Sequence, residues 1–128
     1  MPLSECRVAL IATAGLHLEG QPPFDSPVKG GDCSYREIPN TVDTQGLAAA
    51  AQPYGYDKDS PETDINLVFP IDRFRELARD GTIGCLNYRH FSFGTSIVEP
   101  RPLINETAPE VAQCLKEDGV DVVFLTPN

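Results

Sequence analysis

The sequence predicts an α/β protein in which helices are layered on a mostly parallel sheet. Three observations carry this. Arg7 to Thr13 (RVALIAT) is an unbroken run of β-branched and aliphatic residues ending at Ala14-Gly15, and Val120 to Leu125 (VDVVFL) is a second, interrupted only by Asp121. Strands that are apolar along their whole length are those covered on both faces, as in parallel sheets flanked by helices. Between the two runs, Ile71, Phe74, Leu77 and Ala78 repeat with the spacing of an amphipathic helix. Strand, helix and strand in that order pair in parallel through a crossover, which gives the layered architecture of Rossmann and flavodoxin-like folds.

The elements follow in order. Arg7–Thr13 is a central strand, and the Pro/Gly-rich stretch from Glu19 to Asp32 is a loop long enough to be functional or partner-facing. Ser34 to Ile38 alternates as a short strand does, and the Ala run within Asp43 to Ala51 favours one short helix. Gln52 to Thr63 is loop, broken by Pro53, Gly55 and Pro61. Ile65 to Phe69 is either a buried strand or an apolar lead into the helix that starts at Ile71 and stops at Gly81. Ile83 to Phe93 mixes β-formers with Arg89 and His90 and ends in the loop Gly94-Thr95-Ser96. Thr107 and Glu110 have the spacing of a capping box, with Pro109 tolerated in the first turn, so a helix runs to Asp118 with Gly119 behind it. An earlier start near Pro102 is also compatible with the pattern. Val120–Leu125 closes the chain as a buried strand, and residues 1–128 form one domain.

A chain of 128 residues buries roughly two thirds of its unfolded surface, enough for its own core. No apolar stretch reaches the roughly 18 residues that span a bilayer. Val8 to Leu18 lacks a basic leader and a cleavage site, so a signal peptide is not expected and the protein is placed in the cytoplasm. Ten basic against nineteen acidic residues give a net charge of −9, which repels nucleic-acid backbones and anionic membranes. Cys6, Cys33, Cys85 and Cys114 are dispersed, with no Cys-x-x-Cys and no histidines at metal spacing. They read as reduced thiols that pack as small hydrophobes, Cys114 beside Val111 and Leu115, while Cys33 falls in a Gly-rich loop that reads as exposed.

Three places hold groups capable of chemistry. Thr13 to Leu18 follows the first strand at its carboxyl end, where a small-residue turn can offer backbone N–H groups to an anion and His17 titrates near neutrality. It lacks the G-x-G-x-x-G spacing of a dinucleotide site. Tyr54 to Asp57 and Asp64-Ile65-Asn66 gather hydroxyl, carboxylate and amide groups that suit a small amine or carboxylate, or that cap turns and the next helix. His90, within Arg89 to Phe93, is either a site group or a satisfied core histidine. No triad, metal site or phosphate loop is visible.

Taken together, VALIATAGLHLEG, Phe24 with SYREIP (Ser34 to Pro39), the segment Tyr56 to Leu77 ending VFPIDRFREL, G.IG…RHFSF (Gly81 to Phe93) and ETAPEVA..LKEDGVDVVFLTPN resemble the selenoprotein B family. These are the substrate-reducing subunits of the glycine, sarcosine, betaine and D-proline reductases and their cysteine-containing relatives. Five blocks in order cover nearly the whole chain. The resemblance implies reductive cleavage of a C–N or related C–heteroatom bond in a small amine or amino acid, by a selenol or low-pKa thiol nucleophile and a thioredoxin-type dithiol reductant. It implies a pyruvoyl-bearing partner subunit, no cofactor held by this chain, and a hetero-oligomer.

By the same resemblance His17, Arg36, Glu37, Asp64, Asn66 and His90 are substrate-site residues, and Asp72 and Arg73 also match, with helix capping as their other role. In the family the redox residue follows directly on the segment matching Phe124 to Asn128, so no residue of this chain is expected to be the nucleophile. Two accounts stand side by side: a chain read without recoding of a selenocysteine codon after Asn128, or a split or shortened relative whose catalytic half is another chain or which only binds substrate or partner. The chain departs from the family at Pro53, where a His is usual, and at Phe93-Gly94-Thr95, where Phe-Met-Gly is usual; both lie in loops expected to shape the site.

Overall fold

The structure is a computed structural model that describes residues 1–22, 24, 30–49, 64–94 and 97–127. The expected loop Gln52–Thr63, with Tyr54 to Asp57, lies outside these residues, as do Thr95, Ser96 and Asn128. Its main sheet is built on β1 (Arg7–Ala12). Along one side of β1 runs β7 (Val122–Thr126), parallel and in register from Val8↔Val122 to Ala12↔Thr126. The other side is shared by β5 (Cys85–Leu86), which pairs with Arg7 and Val8, and β6 (Arg89–Phe93), which pairs with Ile11 and Ala12. β3 (Tyr35–Pro39) adds an antiparallel edge outside β6. A separate antiparallel pair joins β2 (Leu16–Leu18) to β4 (Leu47–Ala49).

A helix lies on each face, so the layers are helix, sheet and helix. Phe74, Leu77 and Ala78 of α1 (Ile71–Arg79) pack on Cys6, Val8, Ile83, Leu86 and Val122. Val111, Cys114 and Leu115 of α2 (Ala108–Glu117) pack on Ala9, Ile11, Phe91 and Phe93. Successive side chains of β1 point to opposite faces and four of the six, on both faces, are buried, which is why its sequence shows no alternation. On the α1 face the β2–β4 pair and the 3₁₀ turn Ile65–Leu67 complete a larger cluster around Leu10, Leu16, Ile38, Phe69 and Ile71. The two helices end alike. The amide of Thr82 reaches the Leu77 carbonyl and that of Val120 the Leu115 carbonyl, around Gly81 (φ 81°) and Gly119 (φ 74°). This is the Schellman closure, which needs a left-handed residue.

The helix Ile71–Arg79, the strand at Tyr35–Pro39 and the mostly parallel sheet match expectation, and the Ile65 segment is a lead-in to α1 rather than a strand. Four expectations fail. The described part of Asp43–Ala51, up to Ala49, is not an α-helix: a 3₁₀ turn at Thr44–Gly46 leads into β4, because Leu47–Ala49 finds an edge partner in β2 and tertiary pairing overrides propensity. Thr107 does not cap α2. The helical path begins earlier, through a π-type turn Leu103–Thr107, and the Thr107 hydroxyl instead donates to the Cys33 carbonyl at 2.7 Å. Cys33 is buried rather than exposed, its Sγ 3.6 Å from the Glu99 carbonyl. Finally, β7 is not covered like β1: Val123 is 37%, Phe124 43% and Leu125 63% exposed.

Candidate functional site

In open parallel sheets ligands sit beyond the carboxyl ends of the strands. Here those ends are Ala12, Phe93 and Thr126, and the backbone that follows them is closely tied. The Thr13 amide donates to the Thr126 carbonyl (3.2 Å), the Gly15 amide to the Phe93 carbonyl (2.9 Å), and the Thr126 hydroxyl to the Ile11 carbonyl (3.3 Å). Two amides of the expected anion-binding turn are therefore committed to the sheet. The turn's contribution is to hold three strand ends together and to launch β2, which carries His17.

One turn after β2 ties Leu18, beside His17, to the Glu37 carbonyl, beside Arg36; the Glu37 side chain lies on the other face of β3 and pairs with Arg89 at 3.4 Å. The Leu18 amide donates to Gln21 Oε1 (2.8 Å), and Gln21 Nε2 donates to the Glu37 carbonyl (3.0 Å). His17 Nδ1 lies 3.0 Å from the Leu18 carbonyl. Arg36 donates from Nε to the Pro22 carbonyl (2.8 Å) and from a terminal nitrogen to Ser34 Oγ (2.9 Å). Its guanidinium stacks 4.4 Å from the Phe24 ring centroid, a favourable cation–π placement. Phe24 in turn abuts Gly94: a Cβ on Gly94 would sit 3.0 Å from the Asp32 carbonyl and 3.2 Å from Phe24 Cδ1. The departure at Gly94 is thus steric, since Phe24 occupies the space a longer side chain would need.

Asp64, Asn66 and His90 belong to a second network that runs across the front of α1. Asp64 accepts from the Asn66 amide and side chain, and Asn66 accepts from the Asp72 amide while its Nδ2 donates to Asp72 Oδ2, each near 2.9–3.0 Å. These are turn and helix caps. The Asn66 hydrogen bonds hold the Asp64 carboxyl below its usual range. Asp72 pairs with Arg75 (2.9 Å), Arg75 donates to the carbonyls of Asn40 and Val42, and Asn40 Oδ1 lies 3.2 Å from His90 Nε2. Arg73 pairs instead with Glu76 at the surface (3.0 Å).

His90 is fully buried, and its Nδ1 accepts from the Leu10 amide at 2.9 Å. With Nδ1 an acceptor, Nε2 must carry the hydrogen and donate to Asn40. Burial, with the Arg75 charge second, lowers its pKa to about 4, so the ring is neutral. Leu10 falls where β5 has stopped pairing with β1 and β6 has not yet started. The imidazole therefore stands in for the missing ladder carbonyl.

The most perturbed ion pair lies elsewhere. Arg89 grips Asp118 with two bonds, 2.7 and 2.8 Å, and Asn87 and Tyr88 donate to the same carboxylate at 2.9 and 2.8 Å. The Arg89 bond first, supported by the Asn87 and Tyr88 bonds against burial, lowers Asp118 to about 2. Perturbed groups often mark active sites. These, however, stand at the amino end of β6 and the last turn of α2, opposite the strand carboxyl ends, and their work is to tie helix to sheet. An open cleft of about 590 Å³ bordered by Asn40, Arg75, Arg79 and Cys85 flanks α1 and β5, again away from those ends. Cys6 and Cys85 also lie toward that end, Cys114 is on α2, and Cys33 is buried. Among the described residues no cluster of His, Cys, Asp or Glu is placed to hold a metal, and no helix is long and apolar enough to cross a membrane.

Sequence reasoning missed Gln21, Asn40, Arg75 and Asp118. Asn40, behind Pro39, carried a local turn signal; Gln21 and Arg75 each have one near partner, Leu18 and Asp72, but their bonds to Glu37, Asn40 and Val42, like that of Asp118 with Arg89, span distant sequence.

A family model described as glycine/sarcosine/betaine reductase selenoprotein B matches residues 1–128. The chain belongs to this family. D-proline reductase subunit gamma of Acetoanaerobium sticklandii is 36% identical over 97% of the chain and 49% of its own length. Glycine reductase complex component B subunit gamma of Symbiobacterium thermophilum is 33% identical, over 97% of the chain and 29% of the relative. Betaine reductase complex component B subunit beta of Peptoclostridium acidaminophilum is 24% identical, again over 97% of the chain, and 28% of that relative. The chain thus spans about half of the first relative and less than a third of the others. No solved structure matches it. In selenoprotein B terms the matched region holds an α/β/α layer set in which His17 and Arg36 flank the turn after β2 and Glu37 lies with Arg89 on the other face.

Proposed function

We propose that the protein contributes the substrate-binding half of a selenoprotein-B-type reductase that cleaves a C–N or related C–heteroatom bond of a small amine or amino acid. The observation that carries this is the family match along the whole chain, on a fold whose β1, β6 and β7 end together beside the turn that carries His17. His17 and Arg36 face the substrate's charged groups from β2 and β3, and Asp64, Asn66 and His90 set the floor through the α1 network, while Glu37, on the other face of β3 with Arg89, takes no part. The nucleophile comes from outside the chain, in agreement with four cysteines that are buried or remote from the strand ends. It attacks the substrate carbon, the C–N bond breaks, and the amine leaves with its electron pair and a proton. A dithiol thiolate then attacks the nucleophile's sulfur or selenium, the carbon leaves with the bonding pair and takes a proton, and the second thiol frees the nucleophile as the dithiol closes to a disulfide. The pyruvoyl group is held by a partner subunit, and when present it draws electron density from the carbon bearing nitrogen.

The test supplies the chain with the portion of the A. sticklandii gamma subunit that it does not match, the pyruvoyl-bearing partner, and dithiothreitol. Consumption of D-proline, glycine or betaine that depends on dithiol is expected, with kcat/KM lowered roughly 10- to 100-fold by Arg36→Ala or His17→Ala. Absence of dithiol-dependent consumption of all three overturns the reading.

A further inference from the structure

We propose that β7 is an internal strand of a larger sheet, and that its free side receives a parallel strand and covering helix from a polypeptide corresponding to the part of the relatives that this chain does not match. Three observations point there. β7 pairs only with β1 among the described strands, although its sequence, VVFLT, is that of a strand covered on both faces. Among the described residues neither face is fully covered. Val123 and Leu125, which lie on the α2 face by their register with Ala9 and Ile11, are 37% and 63% exposed. On the other face α1 reaches Phe124 with a single ring, Phe74 (centroids 4.9 Å), and leaves 43% of it exposed.

An unprotected apolar edge of this kind is a site of strand addition unless something covers it. The relatives state what is available to do so: D-proline reductase subunit gamma carries about as much chain again as the part matched here. A second copy of this chain fits less well. Twofold symmetry would pair β7 with β7 antiparallel. Each copy's α1 and α2 already lie over its own β1, so Leu125 and Phe124 would stay bare. A βα unit brings both the strand and the helix. The proposal rests on the reading that the protein works in a selenoprotein-B-type assembly and names the surface on which that assembly closes.

The experiment co-expresses the full 128-residue chain with the unmatched portion of the A. sticklandii gamma subunit and follows amide exchange by mass spectrometry. Where the probe is insoluble alone, the same portion joined to the chain by a flexible linker gives the same readout. A one-to-one complex is expected in which exchange over Val122–Thr126 slows by about tenfold or more. Leu125→Lys, at an exposed position, should weaken that complex by about tenfold or more and leave the thermal midpoint of the isolated chain unchanged. Unchanged exchange over β7 in the complex or the linked protein overturns the proposal. So does a dimer of the chain alone that protects β7. Protection of β7 without substrate consumption sinks the reductase reading and leaves the docking surface standing; consumption with β7 unprotected does the reverse.

Discussion

Asp118 sits at the last turn of α2, where a carboxylate meets the negative end of the helix dipole. It is tolerated because Arg89 answers it bidentately with little solvent between, the side chains being 16% and 4% exposed. Removing the charge leaves a largely buried guanidinium with only the more exposed Glu37, 3.4 Å away. Asp118→Asn should therefore lower stability by roughly 2–3 kcal/mol, read as a lower urea midpoint at unchanged slope. A change below about 0.5 kcal/mol would mean that the pair is solvent-screened like an ordinary surface bridge. The same scale shows what could be read from sequence about the site. The choice between ligand and core for His90 turned on whether both nitrogens are used, and the partners, Leu10 and Asn40, are 80 and 50 residues away. Asn66 could be suspected as a cap because its partner Asp72 is six residues on. Local chemistry was legible and long-range pairing was not.

At the level of elements, two glycines near α1 separate conformation from contact. Gly81 has φ +81° and open space around it, so Gly81→Ala should cost about 1 kcal/mol through backbone strain alone. Gly84 has no unusual φ, but an added Cβ would meet the Glu5 carbonyl carbon at 2.7 Å and the Cys6 carbonyl oxygen at 2.9 Å. Gly84→Ala must push β5 away from the segment leading into β1, and a loss of more than about 2 kcal/mol in thermal or urea unfolding is expected. Equal losses for the two variants would refute the distinction. The helices and β1 were readable because their signals are local: apolar period, Gly stop, unbroken aliphatic run. β4 was not, because a three-residue strand exists only through its pairing with β2, some thirty residues earlier. The earlier helix start near Pro102 was among the starts the pattern allowed; the capping role of Thr107 failed because its hydroxyl found Cys33 instead.

For the whole molecule, acid is the condition that finds both buried groups. His90 is depressed from 6.5 to about 4, so the unfolded chain takes its proton first; the stability contributed by the neutral ring is complete above pH 6.5 and is lost as pH falls toward 4. Asp118 is depressed from 3.8 to about 2, so its contribution is complete above 3.8 and goes between there and 2. Urea midpoints should fall between about pH 7 and pH 4, and His90→Gln should flatten that slope while lowering the plateau. A parallel slope in the variant would place the acid lability elsewhere. The position of His90 adds a consequence of a different kind. A ring nitrogen completes the ladder at Leu10, and unlike a carbonyl it can be taken away by one proton. The centre of the sheet thus has a point that can open without the rest unfolding, and the deuterium uptake of a single amide would follow the charge on the imidazole.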